Sequence, residues 1–518
     1  AEIIGDQPNY LDYSLYDYII TDSAWHEART SQGYYNVNPA KLVVLLGNKP
    51  YIDVRNSFNS FVPASVSAGL KDKLVDFYLK KLEKNPDMQD KVEFEVLYTC
   101  YDLGFDARSK ELLDVGLGAK EIAELRKSLV DLTNKIIIDS KVSIKEDLAR
   151  LKELEENRAR VQAPSDSITE TIRKARFLLD DCREKGTVEF SRLARLGFIG
   201  KIILKSLVVK GVIDQELYDK FMNSISTVAK GINEDFILMG SGKMPKEEFV
   251  KKYYHLRPGS YDITSLRYAS NPELIKTMDS EVSVKCYDKF CLDIVTEQRI
   301  TDELKEHGLK FNAQELLEFV RASLEAREYS KFEFTKNLSD AIENIAIAGE
   351  KMGFTRKELA MLGVEELFLP IEDRNELTNA WKMAIEKRNK ERELNSKILL
   401  PPIVFSPSDL EVVRYYNPRP NYITQKKVNG ELALITEGNK DIKDKIVMIE
   451  NGDPGYDWIF TRNIAGLITK YGGVASHMSI RCAEFGIPAA IGCGVLYDQL
   501  IGAKAVTMDC AAKKITKC

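Results

Sequence analysis

Residues Gly472 to Arg481 read Gly-Gly-Val-Ala-Ser-His-Met-Ser-Ile-Arg, and Gly486 to Gly492 read Gly-Ile-Pro-Ala-Ala-Ile-Gly. This stretch places His477 after a Gly-rich turn, directly before a helix-like segment and a buried-strand pattern. The N-terminus of a helix offers free backbone N–H groups and the positive end of a dipole, which together hold a phosphate group. The stretch therefore predicts a small β/α domain that presents an imidazole nitrogen to a phosphoryl group.

The residues around His477 fit that chemistry. A neutral imidazole is a nucleophile at cytoplasmic pH, and a labile N–P bond can pass a phosphoryl group onward. Gly472 and Gly473 let the backbone approach the phosphate without a Cβ clash. Ser476 is the predicted N-cap, and Arg481 lies one helical turn after His477, where it can pair with phosphate charge. The local pattern also allows His477 to be a capping-turn histidine whose ring is satisfied by its neighbours.

Composition limits the classes of function. The 518 residues are 44% hydrophobic and 30% charged, the balance of a globular protein with more than one domain. A net charge of -5 argues against a nucleic-acid partner, which would need a basic face. No apolar run approaches the roughly 20 residues that span a bilayer, so we expect no membrane partner.

The eight cysteines form no C-x-x-C pair. Cys286 and Cys291 are close in sequence, but no histidine or second pair accompanies them as a zinc site would require. We therefore expect reduced thiols, no metal site in this chain and a cytoplasmic protein.

The chain divides into three predicted regions. Residues 1–110 mix strand-like and helix-like segments, with strands predicted at Leu42–Gly47 and Lys91–Tyr98. Residues 111–398 carry helical periodicity, and Leu399 to Pro402 is the predicted boundary to a β/α domain over 399–518. The predicted fold class is multidomain α/β plus mainly α: a helical substrate domain followed by a small β/α domain. The helical patterns fall at 122–136, 141–162, 166–183, 187–210, 214–230, 313–328 and 373–395.

The histidine motif extends in both directions as Gly466-Leu-Ile-Thr, the Gly-rich turn, and Glu484-Phe-Gly-Ile-Pro-Ala. Over about residues 400–518 this pattern resembles the swivelling phosphohistidine domain of the phosphoenolpyruvate-utilising enzymes. The resemblance implies that His477 is phosphorylated and that the domain carries the group between two distant sites. It also implies ATP and Mg²⁺ as cofactors. We find no Gly-rich phosphate loop in 1–400, so we expect both to bind an N-terminal ATP-grasp domain of the same polypeptide, absent from this sequence.

Some members of the family continue into a barrel with a metal-bound enolate site. This sequence ends about 40 residues after His477, so phosphoenolpyruvate chemistry is not expected. Three segments, Gly47–Phe61, His255–Ile263 and Asp453–Phe460, resemble a subgroup of kinases that phosphorylate the side-chain amide of L-glutamine in capsular polysaccharide biosynthesis. That subgroup releases AMP and phosphate. The alternatives are a phosphotransferase for an antibiotic hydroxyl, and a non-enzymatic phosphocarrier module.

An amino-acid acceptor needs a cation for its carboxylate, an anion for its ammonium group and neutral polar groups around its amide. Asp53, Arg55, Ser57 and Asn59 alternate in a segment that reads as extended, so their side chains are expected to share one face. They are candidate substrate-binding residues. A polar strand face turned to solvent would give the same pattern.

Two further sets of residues are candidates for the acceptor site. His255 precedes a Pro-Gly turn, in which Arg257 and Asp262 are a second possible cation and anion for the acceptor, and the histidine could orient either one. Arg192 and Arg195 lie three residues apart on a predicted helix, where both could receive the phosphoryl group. A structural loop and a surface ion-pair network remain the alternatives.

Overall fold

Long helices dominate the chain up to residue 395. The computed structural model describes residues 3–161, 163, 165–271, 290–413, 419–435, 441–473 and 476–518. In it, helix α7 spans Ala119–Val161 and helix α14 spans Ala313–Lys351. Helix α14 packs along α7 and along two neighbours, α8 (Ile168–Cys182) and α9 (Val188–Val209). We call this part of the chain, residues 3–395, the helical domain.

Periodic burial explains these helices. Leu125, Leu129 and Leu132 on α7 are buried at three- and four-residue spacing, as their pattern predicts for an amphipathic helix. The pattern over 214–230 divides into two helices, because Thr227 caps a new helix by accepting a hydrogen bond from the backbone N–H of Lys230. The remaining α-helices are α1 Tyr10–Tyr16, α2 Ala24–Ser31, α3 Val54–Asn59, α4 Ala68–Lys84, α5 Phe105–Arg108, α6 Lys110–Asp114, α10 Gln215–Asn223, α11 Val228–Gly240, α12 Lys246–Tyr253, α13 Ile294–Glu306, α15 Arg356–Leu359, α16 Val364–Leu367, α17 Arg374–Asn395, α18 His477–Phe485 and α19 Val495–Leu500.

Shorter helical turns complete the description. Segments of π-helix occupy Asp17–Thr21, Val92–Val96 and Arg183–Thr187, and 3₁₀ turns occupy Pro86–Met88, Tyr268–Ser270, Pro407–Leu410 and Pro454–Arg462.

The region before residue 110 contains one of its two predicted strands. Strand β1 (Val43–Leu46) lies within the predicted Leu42–Gly47 and pairs with β2 (Lys49–Ile52) in an antiparallel hairpin. The strand predicted over Lys91–Tyr98 is wrong, because Val92–Val96 forms a π-helical turn. In this turn Glu93 forms an ion pair with the buried Arg195 and has no strand partner among the described residues.

A seven-stranded sheet organises the described residues after 419, which we call the C-terminal domain. Strands β4, β5, β6 and β7 run parallel, β3 joins β7 antiparallel, and β8 and β9 continue the other edge antiparallel. A helical domain followed by a small β/α domain is therefore confirmed as the fold class. The strands are β3 Asn421–Ile423, β4 Lys427–Leu434, β5 Ile446–Ile449, β6 Gly466–Thr469, β7 Ala489–Ile491, β8 Ala505–Asp509 and β9 Lys514–Lys517.

The two domains are packed against each other through a shared apolar cluster. Phe249 and Tyr253 of α12 belong to the same buried cluster as Trp458, Met478 and other residues of the C-terminal domain. Burial of this surface favours the packed arrangement by roughly 25 cal/mol per Å² of apolar area. Within the described ranges, no helix combines the length and apolarity needed to cross a bilayer.

Candidate functional site

His477 lies beyond the carboxyl ends of two parallel strands in the middle of the sheet, β5 and β6. Strand β5 is followed by a short loop and the 3₁₀ turn Pro454–Arg462, and the adjacent strand β6 is followed by the Gly-rich turn and α18. Adjacent parallel strands have their carboxyl ends side by side. Asp457, in the connection after β5, and His477, in the connection after β6, are therefore brought together.

The helix that carries His477 begins and ends as its sequence predicts. The Ser476 hydroxyl accepts a hydrogen bond from the backbone N–H of Ser479 at 3.2 Å, so Ser476 is the N-cap. Gly486 ends the helix in the left-handed conformation, with φ 62°. Gly472 also has a positive φ of 133°, and a Cβ there would approach Ile491 to 2.9 Å, so a larger residue is disfavoured. Val474 and Ala475 of the predicted motif lie outside the described residues.

Carboxylates flank both nitrogens of the His477 ring. Nε2 lies 2.7 Å from Oδ1 of Asp457, and Nδ1 lies 4.0 Å from Oε2 of Glu328 on α14. Asp457 belongs to the C-terminal domain and has no exposed side-chain surface, whereas Glu328 belongs to the helical domain. The ring, 8% exposed, is thus fixed by its own domain on one side and faces the helical domain on the other.

Asp457 is held ionised by the groups around it. Burial alone would raise the pKa of this carboxyl, but the charges of His477 and Arg481 and their hydrogen bonds bring it below its ordinary value. The Nε of Arg481 lies 3.3 Å from Asp457 and its Nη1 lies 2.8 Å from Glu484. Arg481, predicted to meet phosphate, therefore lies behind the ring in this arrangement, in a fully buried ion-pair network.

A cleft between the domains opens onto His477. It encloses about 510 Å³, counting space open to solvent, within the usual size range of small-molecule sites. Helix α14 supplies residues one turn apart, Glu328, Lys331, Phe332 and Thr335, which share one helix face. The other lining residues are Val228 and Ile232 of α11, His255, Leu256 and Ser260 after α12, and Pro454 and His477 of the C-terminal domain.

Positive charge surrounds Glu328 in this cleft. Burial raises the pKa of Glu328, but nearby positive charges, led by Arg327 and His477, bring it below its ordinary value. The guanidinium of Arg327 is 11% exposed, and its Nε and Nη1 have no hydrogen-bond partner among the described residues. Burial, together with the charge of Arg327, lowers the pKa of the neighbouring Lys201 to about 7. Neither Arg327 nor Lys201 lines the cleft, so Lys331 is the cation that its described wall presents near His477.

His255 also faces the cleft and is 2% exposed. Its ring packs edge-on against Phe332, with centroids 4.6 Å apart. Neither ring nitrogen has a hydrogen-bond partner within the described part of the chain. Burial, assisted by surrounding cations, holds the pKa of His255 well below its ordinary value, so the ring is neutral.

The four predicted acceptor residues near position 55 do not form a strand face. Asp53 is the N-cap of α3 and accepts from the backbone N–H of Asn56 at 3.0 Å, so the following residues are helical. Arg55 is exposed and forms a surface ion pair with Asp76. The Asn59 side chain donates to the carbonyl of Arg55, and Ser57 is buried. None of the four lines the cleft at His477.

The two predicted arginines on α9 are already paired within the helical domain. Arg192 contacts Asp147 and Glu189, and Arg195, 3% exposed, contacts Glu93 at 2.6 Å. The helix itself is confirmed, but both guanidinium groups are part of internal ion pairs and neither lines the cleft.

Arg257 and Asp262, the second predicted cation and anion for the acceptor, do not line the cleft at His477. Arg257 donates to the Asp262 backbone carbonyl at 3.4 Å, while its ion pair is with Glu343 of α14 at 3.0 Å. The Asp262 carboxylate instead accepts from Thr264 in its own turn. His255 orients neither residue, because its ring has turned into the cleft.

Within the described residues, the metal-ligating side chains do not gather into a cluster. Among the described residues, no group of three or more His, Cys, Asp or Glu side chains could hold a metal ion. These residues therefore do not provide a Mg²⁺ site of that kind. Cys286 lies outside the described residues, while Cys291 is an exposed free thiol.

Comparison with known proteins agrees with this geometry. Residues 442–513 match the family model of the PEP-utilising enzyme, mobile domain. This match covers most of the C-terminal domain, which we call the mobile domain from here on. Asp457, His477 and α18 lie within the matched residues.

Two relatives match parts of the chain at low identity. Rifampicin phosphotransferase of Bacillus subtilis (strain 168) is 25% identical over 47% of this chain and 31% of its own length. Phosphoenolpyruvate synthase of Neisseria meningitidis serogroup B (strain ATCC BAA-335 / MC58) is 28% identical over 31% of this chain and 24% of its own length. The chain thus covers less than a third of the length of each of these two relatives.

Several residues of the site escaped sequence reasoning. Asp457 lies in a segment noted only for its resemblance, and it meets His477 through strand order rather than through spacing. Glu328 and Lys331 read as the solvated face of a long helix, and no local signal distinguishes them from other charged residues there. Their role in the cleft follows from the docking of the mobile domain.

Proposed function

We propose that this chain belongs to an ATP-dependent phosphotransferase that works through a phosphohistidine at His477 and delivers the phosphoryl group to a small molecule in the facing cleft. The observation that carries the proposal is the position of the ring. His477 lies at a helix N-terminus, is oriented by a buried carboxylate, and borders a cleft built by another domain.

The second half of the reaction would take place in the arrangement described above. A nucleophile on the acceptor attacks phosphorus, the N–P bond breaks, and its electron pair returns to the His477 ring. The His477 ring takes up the proton that the acceptor loses, so the step balances. Lys331, in the wall of the cleft, would stabilise the charge on the transferring group, as positioned cations do in phosphoryl transfer generally.

The first half would take place elsewhere in the polypeptide. We propose that ATP and Mg²⁺ bind an ATP-grasp domain outside these 518 residues, and that AMP and phosphate are released as His477 is phosphorylated. The match to a mobile domain supports this, because such a domain moves between sites. The segment between α17 and β3 would supply the hinge.

The acceptor we propose is L-glutamine, phosphorylated on its side-chain amide. The cleft holds a cation, Lys331, and an anion, Glu328, and this combination suits a small zwitterion. Neutral partners for an amide are present in His255, Ser260 and Thr335.

A hydroxyl of a rifampicin-type antibiotic is the second candidate acceptor. Two observations favour it: the partial match to rifampicin phosphotransferase, and an apolar wall in the cleft. The wall comprises Val228, Ile232, Leu256, Phe332 and Pro454. A non-enzymatic phosphocarrier would have no use for such a cleft.

Intact-mass analysis tests the first half of the proposal. The whole polypeptide, with its nucleotide-binding part, is incubated with magnesium ATP in the absence of acceptor. We expect one added phosphoryl group that is labile in acid and absent from the His477→Ala variant. The matched control is His26→Ala, which removes a buried histidine of α2 and should leave labelling unchanged. Equal labelling of wild type and His477→Ala would disprove the role of His477.

The second half is tested by adding acceptors to the phosphorylated protein. L-Glutamine should discharge His477 within seconds to minutes and should itself gain a phosphoryl group. Discharge by rifampicin alone would establish the second candidate. A phosphohistidine stable toward both, but discharged by a partner protein, would favour the carrier.

A further inference from the structure

His255 has hydrogen-bonding capacity that the protein itself does not satisfy. The ring is 2% exposed, yet neither Nδ1 nor Nε2 has a partner among the described residues. A buried polar group without a partner destabilises the folded state, so native proteins rarely leave one. Here the missing partners would come from the cleft, because the ring is part of its wall together with His477.

The surroundings keep this ring neutral without placing a free charge beside it. The nearest cations are each paired with carboxylates: Arg158 and Lys336 with Glu333, and Arg267 with Asp340. Their residual field and burial lower the pKa of His255 well below its ordinary value. A neutral imidazole has one N–H donor and one lone-pair acceptor.

A neutral partner suits a neutral ring in this apolar wall. The two nitrogens point to different sides of the ring, so one ligand group contacts one of them. A carboxamide or a hydroxyl has both a donor and an acceptor, so it can donate to the imidazole lone pair or accept from the imidazole N–H. A charged group costs more to bury there than a neutral one. Phe332, packed edge-on against the ring, fixes the direction in which those nitrogens point.

We propose that His255 is the residue that binds the uncharged reacting group of the acceptor, a carboxamide or a hydroxyl, opposite His477. The inference rests on the proposed function and deepens it by assigning the specificity of the cleft to this ring. It also replaces the expected role of His255 as a support for Arg257, which is paired with Glu343 instead.

Two variants separate binding from packing. His255→Leu keeps an apolar body in the apolar wall but removes both nitrogens, whereas His255→Gln restores one amide donor and one amide acceptor. In the phosphorylated protein, we expect His255→Leu to slow discharge by L-glutamine or rifampicin about 10- to 100-fold and to raise the KM for the acceptor. His255→Gln should recover most of that loss. Both variants should still be phosphorylated on His477 at the wild-type rate.

A binding measurement makes the test independent of turnover. The chain has four histidines, so ¹⁵N-histidine labelling gives few ring signals, and His255→Leu identifies those of His255. On titration with L-glutamine, and separately with rifampicin, we expect the His255 ring signals to shift for at least one of them. The signals of His26, buried on α2, should not move.

The outcomes distinguish the two ideas. Failure of the wild-type protein to form phosphohistidine would disprove the proposed function, and the ring signals would still decide the role of His255. This inference would be overturned if neither L-glutamine nor rifampicin shifted the ring signals of His255. A His255→Leu variant that is discharged at the wild-type rate would overturn it too.

Discussion

Asp457 is the residue on which the geometry of His477 depends. Its buried Oδ1 accepts from both the His477 ring and the Arg481 guanidinium, while Oδ2 has no partner among the described residues. Breaking a buried pair costs more than the pair contributes, because a buried charge is left without compensation. Asp457 therefore links the stability of the mobile domain to the orientation of its reactive ring.

We predict that Asp457→Asn lowers the free energy of opening of the mobile domain by about 3 kcal/mol at neutral pH, because Arg481 keeps only Glu484 as a carboxylate partner. Hydrogen-exchange mass spectrometry of peptides covering α18 measures that free energy. The matched control is Asp441→Asn in the same domain, whose carboxylate is 80% exposed beside Lys445. It should change stability by no more than about 0.5 kcal/mol.

The same variant has a defined pH dependence. The pKa of Asp457 is lower in the folded protein than its ordinary value of 3.8, so its contribution is complete above that value. The contribution is lost as the pH falls through the lowered folded-state value. The difference between wild type and Asp457→Asn should therefore shrink as the pH falls below about 4. A difference that grows over that range would contradict an ionised Asp457.

Part of this site could be predicted from local sequence, and the rest could not. Ser476 as N-cap and Gly486 as the left-handed end of α18 depend on a few neighbouring residues, and both predictions are confirmed. Asp457 and Glu328 reach the ring from another strand connection and from another domain. Their proximity depends on strand order and docking, which no single segment of sequence specifies.

At the scale of elements, the turn Pro454–Arg462 positions the mobile domain against the loop that follows α12. The Asp453 carboxylate accepts from the backbone N–H of Ser260 at 3.1 Å, and Tyr268 donates to the Gly455 carbonyl at 3.0 Å. A Cβ on Gly455 would overlap the backbone carbonyl of Arg257, which cannot move as a flexible side chain would. The absence of a side chain at Gly455 allows this close approach.

We predict that Gly455→Ala impairs phosphoryl transfer to the acceptor at least 10-fold, since the mobile domain can no longer sit at the cleft in this position. Phosphorylation of His477 should proceed normally, because the substitution lies at the contact with the helical domain. Single-turnover measurement of each half-reaction checks both statements. Gly69→Ala in the first turn of α4, where an added Cβ meets nothing within 4 Å, is the control. Unimpaired transfer in Gly455→Ala would mean that the docked arrangement is not the one that transfers.

The elements that sequence reasoning misjudged are short. Alternation over Asp53 to Asn59 suggests a strand, but the Asp53 cap commits the following residues to a helical turn. Over Lys91 to Tyr98 a period of two arises by chance in a segment too short to distinguish strand from turn. The apolar periods over 122–136, 141–162 and 313–328 do mark helices, but α7 joins the first two and α14 continues to Lys351.

At the scale of the whole molecule, the order of domains is readable from sequence but their relative placement is not. The change from helical periodicity to short apolar runs predicts a β/α domain after residue 399, and the sheet is found there. The seating of that domain on α11, α12 and α14 depends on a shared apolar cluster whose members come from both sides. The boundary itself stays a prediction, and it has a direct test.

Limited proteolysis with chymotrypsin should cut first between α17 and β3. Leu399 and Leu410 are 64% and 44% exposed there, and the described residues of this segment form only a 3₁₀ turn. Phe177 is similarly exposed, at 42%, but lies within helix α8 and should resist cleavage until that helix opens. Mass spectrometry of the first fragments identifies the cut, and earliest cleavage within α7 to α14 would contradict the predicted boundary.

Once the linker is cut, only the interface joins the two domains. The cut protein therefore shows whether the interface alone holds the mobile domain on the helical domain. We expect wild-type fragments to elute together in size-exclusion chromatography, since the apolar cluster between the domains remains buried after the linker is cut. Fragments of Gly455→Ala should separate, because its added Cβ overlaps the backbone of Arg257. Wild-type fragments that separate at once would mean that the linker, rather than the interface, keeps the mobile domain at the cleft. In that case the mobile domain would hold His477 in its buried position only transiently as it moves between sites.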